Sequence, residues 1–167
     1  ASNAKRRCQD LISKPMEFSR TQEGFIVQGD KLLSSYKGVD FTIAFWAYLT
    51  KKNVNKCCFI TGKVSHSDAW PIVILRPDSK LEVLYGNGGD FEKLASQCSI
   101  AMSVWTHISI VVEQKKIKVF VNGVLDSQAS ISKVNTRAIL YPLIVGACPK
   151  QVKTRVDFVK EGFYGMV

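Results

Sequence analysis

Short apolar segments separated by polar turns dominate the chain. In Phe41–Leu49 the side chains of a strand would alternate between two faces, because the side-chain period of a strand is two residues. One face would carry Phe41, Ile43, Phe45, Ala47 and Leu49, and the other Thr42, Ala44, Trp46 and Tyr48. Since both faces are largely apolar, the pattern predicts a central strand that is covered on both sides, with Trp46 buried.

The remaining apolar segments are also of strand length, and turn signals separate them. Pro77-Asp78-Ser79 is typical of a turn, and Asn122-Gly123 between two β-prone flanks predicts a hairpin. No long segment has a helical period, so the sequence predicts an all-β, antiparallel, two-sheet sandwich. The further predicted strands are 57–61, 71–76, 80–85, 105–112, 117–121, 143–147 and 162–167.

Length and composition indicate one globular domain. The chain has 167 residues, of which 46% are hydrophobic and 22% are charged. Residues 1–15 are predicted to be a lead-in segment, within which Ser2-Asn3-Ala4 is typical of an expression-tag remnant. No apolar run is long enough for a transmembrane helix. The net charge of +9 slightly favours acidic partners, but the basic residues are scattered and do not indicate a specific nucleic-acid site.

The number and spacing of the cysteines indicate in which redox compartment the protein is located. The five cysteines are odd in number and include no Cys-x-x-Cys pair, so we interpret them as small, mostly buried apolar residues. This favours a reducing, intracellular (cytoplasmic) location. The alternative, an extracellular or luminal location, stays open, as does a single disulfide such as Cys98 with Cys148.

Five motifs occur in an order that resembles the laminin-G-like jelly-roll branch of the concanavalin A-like lectin/glucanase superfamily. They lie at 39–46, 105–112, 120–125, 143–146 and 162–165, and Met16–Phe18 with 24–27 matches that family's opening strands. The resemblance implies a jelly-roll domain over residues 16–167, cut from a larger protein. It also implies a module that binds glycans, proteins or peptides, a step that rests on analogy.

Catalytic chemistry is not indicated. Glycoside hydrolysis needs two carboxylates facing one sugar, but Glu82 stands alone on its predicted strand. His66 lies too close in sequence to Ser65 and Asp68 to form a serine triad with them. No acidic cluster of the kind calcium needs is present either. The sequence therefore predicts a domain with no catalytic residue, no metal and no cofactor.

Aromatic side chains are the best candidates for ligand contact, because sugars stack on such rings and peptides anchor in pockets lined by them. The loop 86–90 is the candidate polar rim. The predicted ligand-binding residues are Tyr48, Trp70, Tyr85, Asn87 and Asp90. The leading hypothesis is a module for protein or peptide interaction within a large multidomain intracellular protein. The alternative is a lectin-like glycan-binding module, and the most remote hypothesis is a glycan hydrolase.

Overall fold

The structure is a computed structural model of the chain. The residues that it describes are 14–18, 25–27, 40–61, 64–65, 68–69, 71–86, 91–133, 143–146, 161–162 and 164–167. These residues form strands, turns and bends and contain no helix. Among them there is accordingly no helical segment long and apolar enough to cross a bilayer.

Two sheets contain almost all of the described strands. In chain order the strands are β1 (Glu17–Phe18), β2 (Phe25–Val27), β3 (Phe41–Leu49), β4 (Cys57–Thr61), β5 (Val64–Ser65), β6 (Asp68–Ala69), β7 (Ile72–Leu75), β8 (Lys80–Gly86), β9 (Phe91–Ser99), β10 (Thr106–Glu113), β11 (Lys116–Val121), β12 (Val124–Ser130), β13 (Leu143–Val145), β14 (Glu161–Gly162) and β15 (Gly165–Met166). A six-stranded sheet has the order β1-β15-β3-β10-β11-β12. A seven-stranded sheet has the order β2-β13-β4-β7-β8-β9, with β14 parallel to β4. The predicted all-β, two-sheet sandwich is confirmed.

A shared core lies between the two sheets, because alternate residues of each strand point inward. On β10, Thr106, Ile108, Ile110 and Val112 are all buried, as the alternation of the sequence predicts. The rings of Phe45 in the six-stranded sheet and Phe59 in the other sheet lie 5.8 Å apart, so they join the two layers.

The Asn122-Gly123 hairpin is confirmed. Both residues have a positive φ, 50° and 80° respectively, which is the backbone geometry that favours Asn-Gly in two-residue turns. Strand β9, in contrast, was not predicted from the sequence. Of its nine residues only Leu94 and Ser96 are buried, so its own pattern is weak and its pairing with β8 determines its conformation.

The cysteine predictions need one correction. Cys98 is an exposed free thiol, so a disulfide between Cys98 and Cys148 is excluded in this structure. Cys58 is buried and disulfide-bonded instead, and its partner is not among the described residues. The sequence pattern could not reveal this pairing, because cysteine connectivity does not follow from spacing.

A carboxylate joins the free edges of the two sheets. Asp126 in β12 accepts hydrogen bonds from the backbone N–H groups of Gln97 and Cys98 in β9, both at 2.8 Å. A second hydrogen bond links the same two edges: Glu92 in β9 accepts a hydrogen bond of 2.7 Å from the N–H of Ser132, which lies just after β12. These contacts satisfy donors on an edge strand that would otherwise be open to pairing with another chain.

Burial raises the pKa of the Asp126 carboxyl, but the hydrogen bonds from the Cys98 and Gln97 N–H groups outweigh it, so the net pKa lies below the ordinary value. The same carboxylate, as a hydrogen-bond partner, raises the pKa of the Cys98 thiol. This shift favours the neutral, less nucleophilic form of the Cys98 thiol.

Candidate functional site

The outer face of the six-stranded sheet carries exposed aromatic rings. On β3 the inward set that includes Ile43 and Leu49 alternates with an outward set that includes Thr42, Ala44 and Trp46. The Trp46 side chain is 55% exposed, so the prediction that Trp46 is buried is wrong. An antiparallel sheet can leave one face open to water even when that face is apolar, and the sequence of β3 alone did not reveal that it does so here.

Four rings lie together on this face, and we call Trp46, Tyr48, Trp105 and His107 the aromatic tetrad. The ring centroids of Trp46 and His107 are 5.0 Å apart, with an angle of 61° between the planes. Those of Tyr48 and Trp105 are 5.4 Å apart, with an angle of 51°. Both pairs have the inclined geometry that aromatic rings prefer.

Sheet register sets the positions of the tetrad. Trp46 lies directly opposite His107 in the antiparallel pairing of β3 with β10. The Asn122 side chain accepts a hydrogen bond of 2.9 Å from the His107 N–H, and the Asn122 N–H donates one of 2.8 Å to the His107 carbonyl. The hairpin turn thus fixes the backbone of His107 at the start of β10.

Gly165 allows the last strand to approach the tetrad closely. Its φ is 153°, and a Cβ atom at this position would overlap the carbonyl oxygen of Tyr48. Only a glycine therefore lets β15 pair with β3 along Leu49 and Tyr48, which fixes the backbone beneath the Tyr48 ring.

Mostly apolar side chains surround the tetrad. The adjacent row across the sheet consists of Ala44, Ser109, Phe120 and Leu125, which pair in that order. Leu125 is exposed, as are Met102 and Val104 in the segment that leads into β10. The described face therefore offers stacking and apolar contact, with few side-chain hydrogen-bonding groups near the rings.

The predicted ligand-binding residues have different outcomes. Tyr48 lies in the tetrad and is partly exposed. Tyr85, in contrast, is 1% exposed, so the expectation that its ring stands on an open face is wrong. Both faces of β8 are buried, and the ring therefore contributes to the core. Trp70, Asn87 and Asp90 lie outside the described residues, so their predicted roles stay predictions.

Trp105 was missed as a ligand-contact candidate, although the sequence contained the signal. Ile108, Ile110 and Val112 were correctly assigned to the core, and a residue an odd number of positions from them must face outward. Trp105 and His107 both meet that condition. The two strands β3 and β10 had to be paired before their outward rings could be recognised as one group.

The described residues offer no evident metal centre. No group of three His, Cys, Asp or Glu side chains among them is arranged to hold an ion. The most deeply buried carboxylate among them, Glu82, forms an ion pair of 2.9 Å with Lys56. His66, the only histidine besides His107, lies outside the described ranges.

The two sheets, their order and the family match define the class of the protein. It is a jelly-roll domain of the laminin G type. A laminin G family model, described as the concanavalin A-like lectin/glucanases superfamily, matches residues 23–159. The chain belongs to this superfamily, and the resemblance in its strand motifs is confirmed. No curated protein sequence matches the chain.

Solved structures with the same fold are distant in sequence. Domains LG4-5 of the mouse laminin alpha1 chain are 12% identical with a TM-score of 0.74, covering 99% of this chain and 45% of that one. The chain thus spans less than half the length of that relative. The sialidase CBM40 of Ruminococcus gnavus, bound to α2,3 sialyllactose, is 16% identical with a TM-score of 0.69, covering 93% and 86%. A botulinum neurotoxin type C structure, whose cell entry depends on two ganglioside molecules, is 12% identical with a TM-score of 0.57, covering 77% and 32%.

Proposed function

We propose that this domain is a non-catalytic binding module that holds a protein or peptide partner against the aromatic tetrad, within a larger multidomain protein. The observation that carries the proposal is the open ring of Trp46, backed by His107 and flanked by Tyr48 and Trp105. Exposed tryptophan and tyrosine are enriched at the centres of protein interfaces, where they contribute a large share of the binding energy.

The surroundings of the tetrad favour a protein partner over a sugar. Glycan sites combine a stacking ring with convergent polar side chains that hydrogen-bond the hydroxyl groups. Here the neighbours of the rings are mainly apolar, with Phe120, Leu125 and Val104 among them. A contiguous apolar area on the surface of a soluble domain is typical of a protein contact.

Glycan binding is the second candidate function. The exposed Trp46 ring is a stacking platform of the kind sugars use, and two relatives of the same fold have sugar-containing ligands: sialyllactose and gangliosides. The net charge of +9 would also suit an acidic sugar. This candidate needs polar partners for the sugar hydroxyl groups beyond those that the described face presents.

Two parallel screens of the purified domain test the proposal. We expect a random-peptide phage library to yield a binding consensus, and a glycan array that includes α2,3 and α2,6 sialyllactose to show no saturable binding. Saturable binding to an array glycan, with no peptide consensus, would contradict the leading proposal and support the second. The array must carry both linkages because structures of the same CBM40 contain either ligand, and the two ligands differ in that linkage.

The absence of catalysis is part of the proposal and is supported by the placement of the carboxylates. Glu82 is neutralised by Lys56, and Asp126 is occupied by the N–H groups of Gln97 and Cys98. Neither group can act as a free acid or base for a sugar on the tetrad face.

The location of the protein, inside or outside the reducing compartments of the cell, is a separate proposal. The intracellular location stays a prediction, but the disulfide at Cys58 supports the alternative, an extracellular or luminal location, because disulfides persist in oxidising compartments. Thiol titration of the denatured, unreduced protein distinguishes the two. Three free thiols agree with one disulfide among the five cysteines, whereas five would agree with the reducing compartment.

A further inference from the structure

Large exposed apolar side chains gather at one end of the sandwich. Among the described residues, all side chains of this kind lie on segments that meet where β3 ends and β10 begins. Three segments form this end: residues 50–56, residues 101–105 and the turn at 122–123, and we call them the loop end. The exposed side chains in or beside these segments are Trp46, Val54, Met102, Val104, Trp105, Val124 and Leu125.

Backbone hydrogen bonds hold these segments side by side. The N–H of Ser103 donates to the carbonyl of Leu49 at 2.9 Å, which ties residues 101–105 to the end of β3. The N–H of Asn122 donates to His107, which ties the hairpin turn to the start of β10. Residues 101–105 and the hairpin turn therefore lie beside the end of β3, from which residues 50–56 continue the chain, so the exposed apolar side chains of all three segments are at the same end of the sandwich.

The charges at the loop end are predominantly positive. Lys51 and Lys52 are both exposed, and Lys51 lies 5.2 Å from the centre of the Tyr164 ring. Neither lysine forms an ion pair with a described residue. The described carboxylates nearby are already engaged: Asp78 with Arg76 at 3.0 Å, and Glu82 with Lys56. The loop end thus presents apolar tips beside uncompensated lysines.

We propose that the loop end docks on the surface of an anionic lipid bilayer. Val54, in the segment 50–56, is 84% exposed, and Val124, the first residue of β12 after the hairpin turn, is 70% exposed. Such tips can enter the interfacial region of a bilayer, where tryptophan rings such as Trp105 are also favoured. Lysines beside the tips would lie at the level of anionic headgroups, to which each contributes attraction.

A bilayer suits this surface better than a second protein partner does. Protein interfaces are depleted in lysine at their centres, whereas here Lys51 and Lys52 stand only two or three positions before Val54. The net charge of +9 also draws the whole domain towards a negative surface and opposes self-association. Trp46 and Trp105 belong to both the tetrad and the loop end, whereas Tyr48 and His107 belong to the tetrad alone, so the two surfaces overlap without coinciding.

Vesicle co-sedimentation of the purified domain tests the docking. We expect binding to vesicles of phosphatidylcholine with about 30% phosphatidylserine, and much weaker binding to phosphatidylcholine alone. The double variant Lys51→Gln/Lys52→Gln should lower the partition coefficient by about 25-fold, or about fivefold per lysine. Val54→Asp/Val104→Asp should lower it by at least about tenfold, because charged side chains then replace the inserted tips.

The matched control is Lys115→Gln/Lys116→Gln. These lysines lie at the β10–β11 turn, at the opposite end of the eight-residue β10, roughly 25 Å away. That distance exceeds the Debye length of about 8 Å at physiological salt, so the control should keep nearly all of its vesicle binding. If the control and Lys51→Gln/Lys52→Gln lost vesicle binding equally, net charge alone would explain the binding, and the proposal would be overturned.

Two further outcomes would also overturn it: equal binding to both kinds of vesicle, or loop-end variants that lose peptide capture and keep vesicle binding. The second result would make the loop end a protein contact. Since the substituted residues all lie outside the tetrad, failure of membrane docking leaves the proposed partner binding standing. The two loop-end double variants should retain the wild-type melting temperature, because the substituted side chains are exposed.

Discussion

Trp46→Ala is expected to weaken binding of the tightest peptide from the random library by about 30-fold or more. A loss of this size is typical when a tryptophan at the centre of an interface is replaced by alanine. The ring is 55% exposed and rests against His107, so it offers a partner a large, rigid apolar surface. The same exposure means that little buried area is lost on substitution. The free energy of unfolding should therefore fall by less than about 1 kcal/mol. Isothermal titration calorimetry and chemical denaturation measure the two quantities.

The matched control is Thr42→Ala. Thr42 is exposed on the same strand and the same face, four residues from Trp46, but outside the tetrad. The affinity of the Thr42→Ala variant for the peptide should stay within about twofold of wild type, because contacts outside a hot spot contribute little binding energy. If Trp46→Ala kept full affinity, the partner would have to bind elsewhere on the domain. A large loss of stability would show instead that the ring supports the fold.

Asp126→Asn is expected to lower the free energy of unfolding by about 1–2 kcal/mol, a range that allows for the partial exposure of the site. The carboxylate accepts two N–H groups from β9 at 2.8 Å each. An asparagine side chain keeps one acceptor oxygen, but its NH₂ group would face a donor. Urea denaturation at neutral pH measures the change.

The pH dependence of this contribution follows from the lowered pKa of Asp126. Between the folded and unfolded pKa values the unfolded state binds more protons, so ionisation of Asp126 stabilises the fold. The contribution is complete above the ordinary aspartate pKa of about 3.9 and is lost as the pH falls through the lower, folded-state value. The stability difference between wild type and Asp126→Asn should therefore shrink below about pH 4.

Glu113→Gln is the control for the Asp126 prediction. Glu113 pairs with Lys118 at 2.6 Å, but its side chain is 42% exposed. Exposed pairs of this kind contribute about 0–1 kcal/mol, so this variant should be close to wild type at neutral pH. Equal losses in both variants would show that the Asp126 contacts are no stronger than an ordinary surface ion pair.

Strand alternation was sufficient to predict the sandwich, because the inward positions of β10 and β3 are apolar at every second residue or nearly so, and these are the more buried positions of both strands. It was insufficient for β9, whose residues are mostly polar and whose strand depends on partners elsewhere in the chain. It could not reveal the Cys58 disulfide either, since that depends on which distant sulfur the fold brings close.

The candidate site was predictable only in part. The Tyr48 ring is partly exposed, in agreement with its expected outward position, but the core buries Tyr85 and leaves Trp46 exposed, which is the opposite of both expectations. Period-two alternation separates the two faces of a strand, but it does not say which face another layer covers. That information depends on how the sheets are stacked, and for β3 and β8 the answers are opposite.

The strand order of the six-stranded sheet also affects how the domain folds during its synthesis. Strand β15 lies between β1 and β3, and the backbone of Val167 exchanges two hydrogen bonds with that of Met16. A ribosome releases β1 first and β15 last, so neither β1 nor the near edge of β3 has this neighbour until almost the whole domain has emerged. Completion of the sheet is therefore a late event with long loops to close, which is slow. During that interval the edge of β3 is open to other chains, and a chaperone that covers it would raise the yield of folded domain.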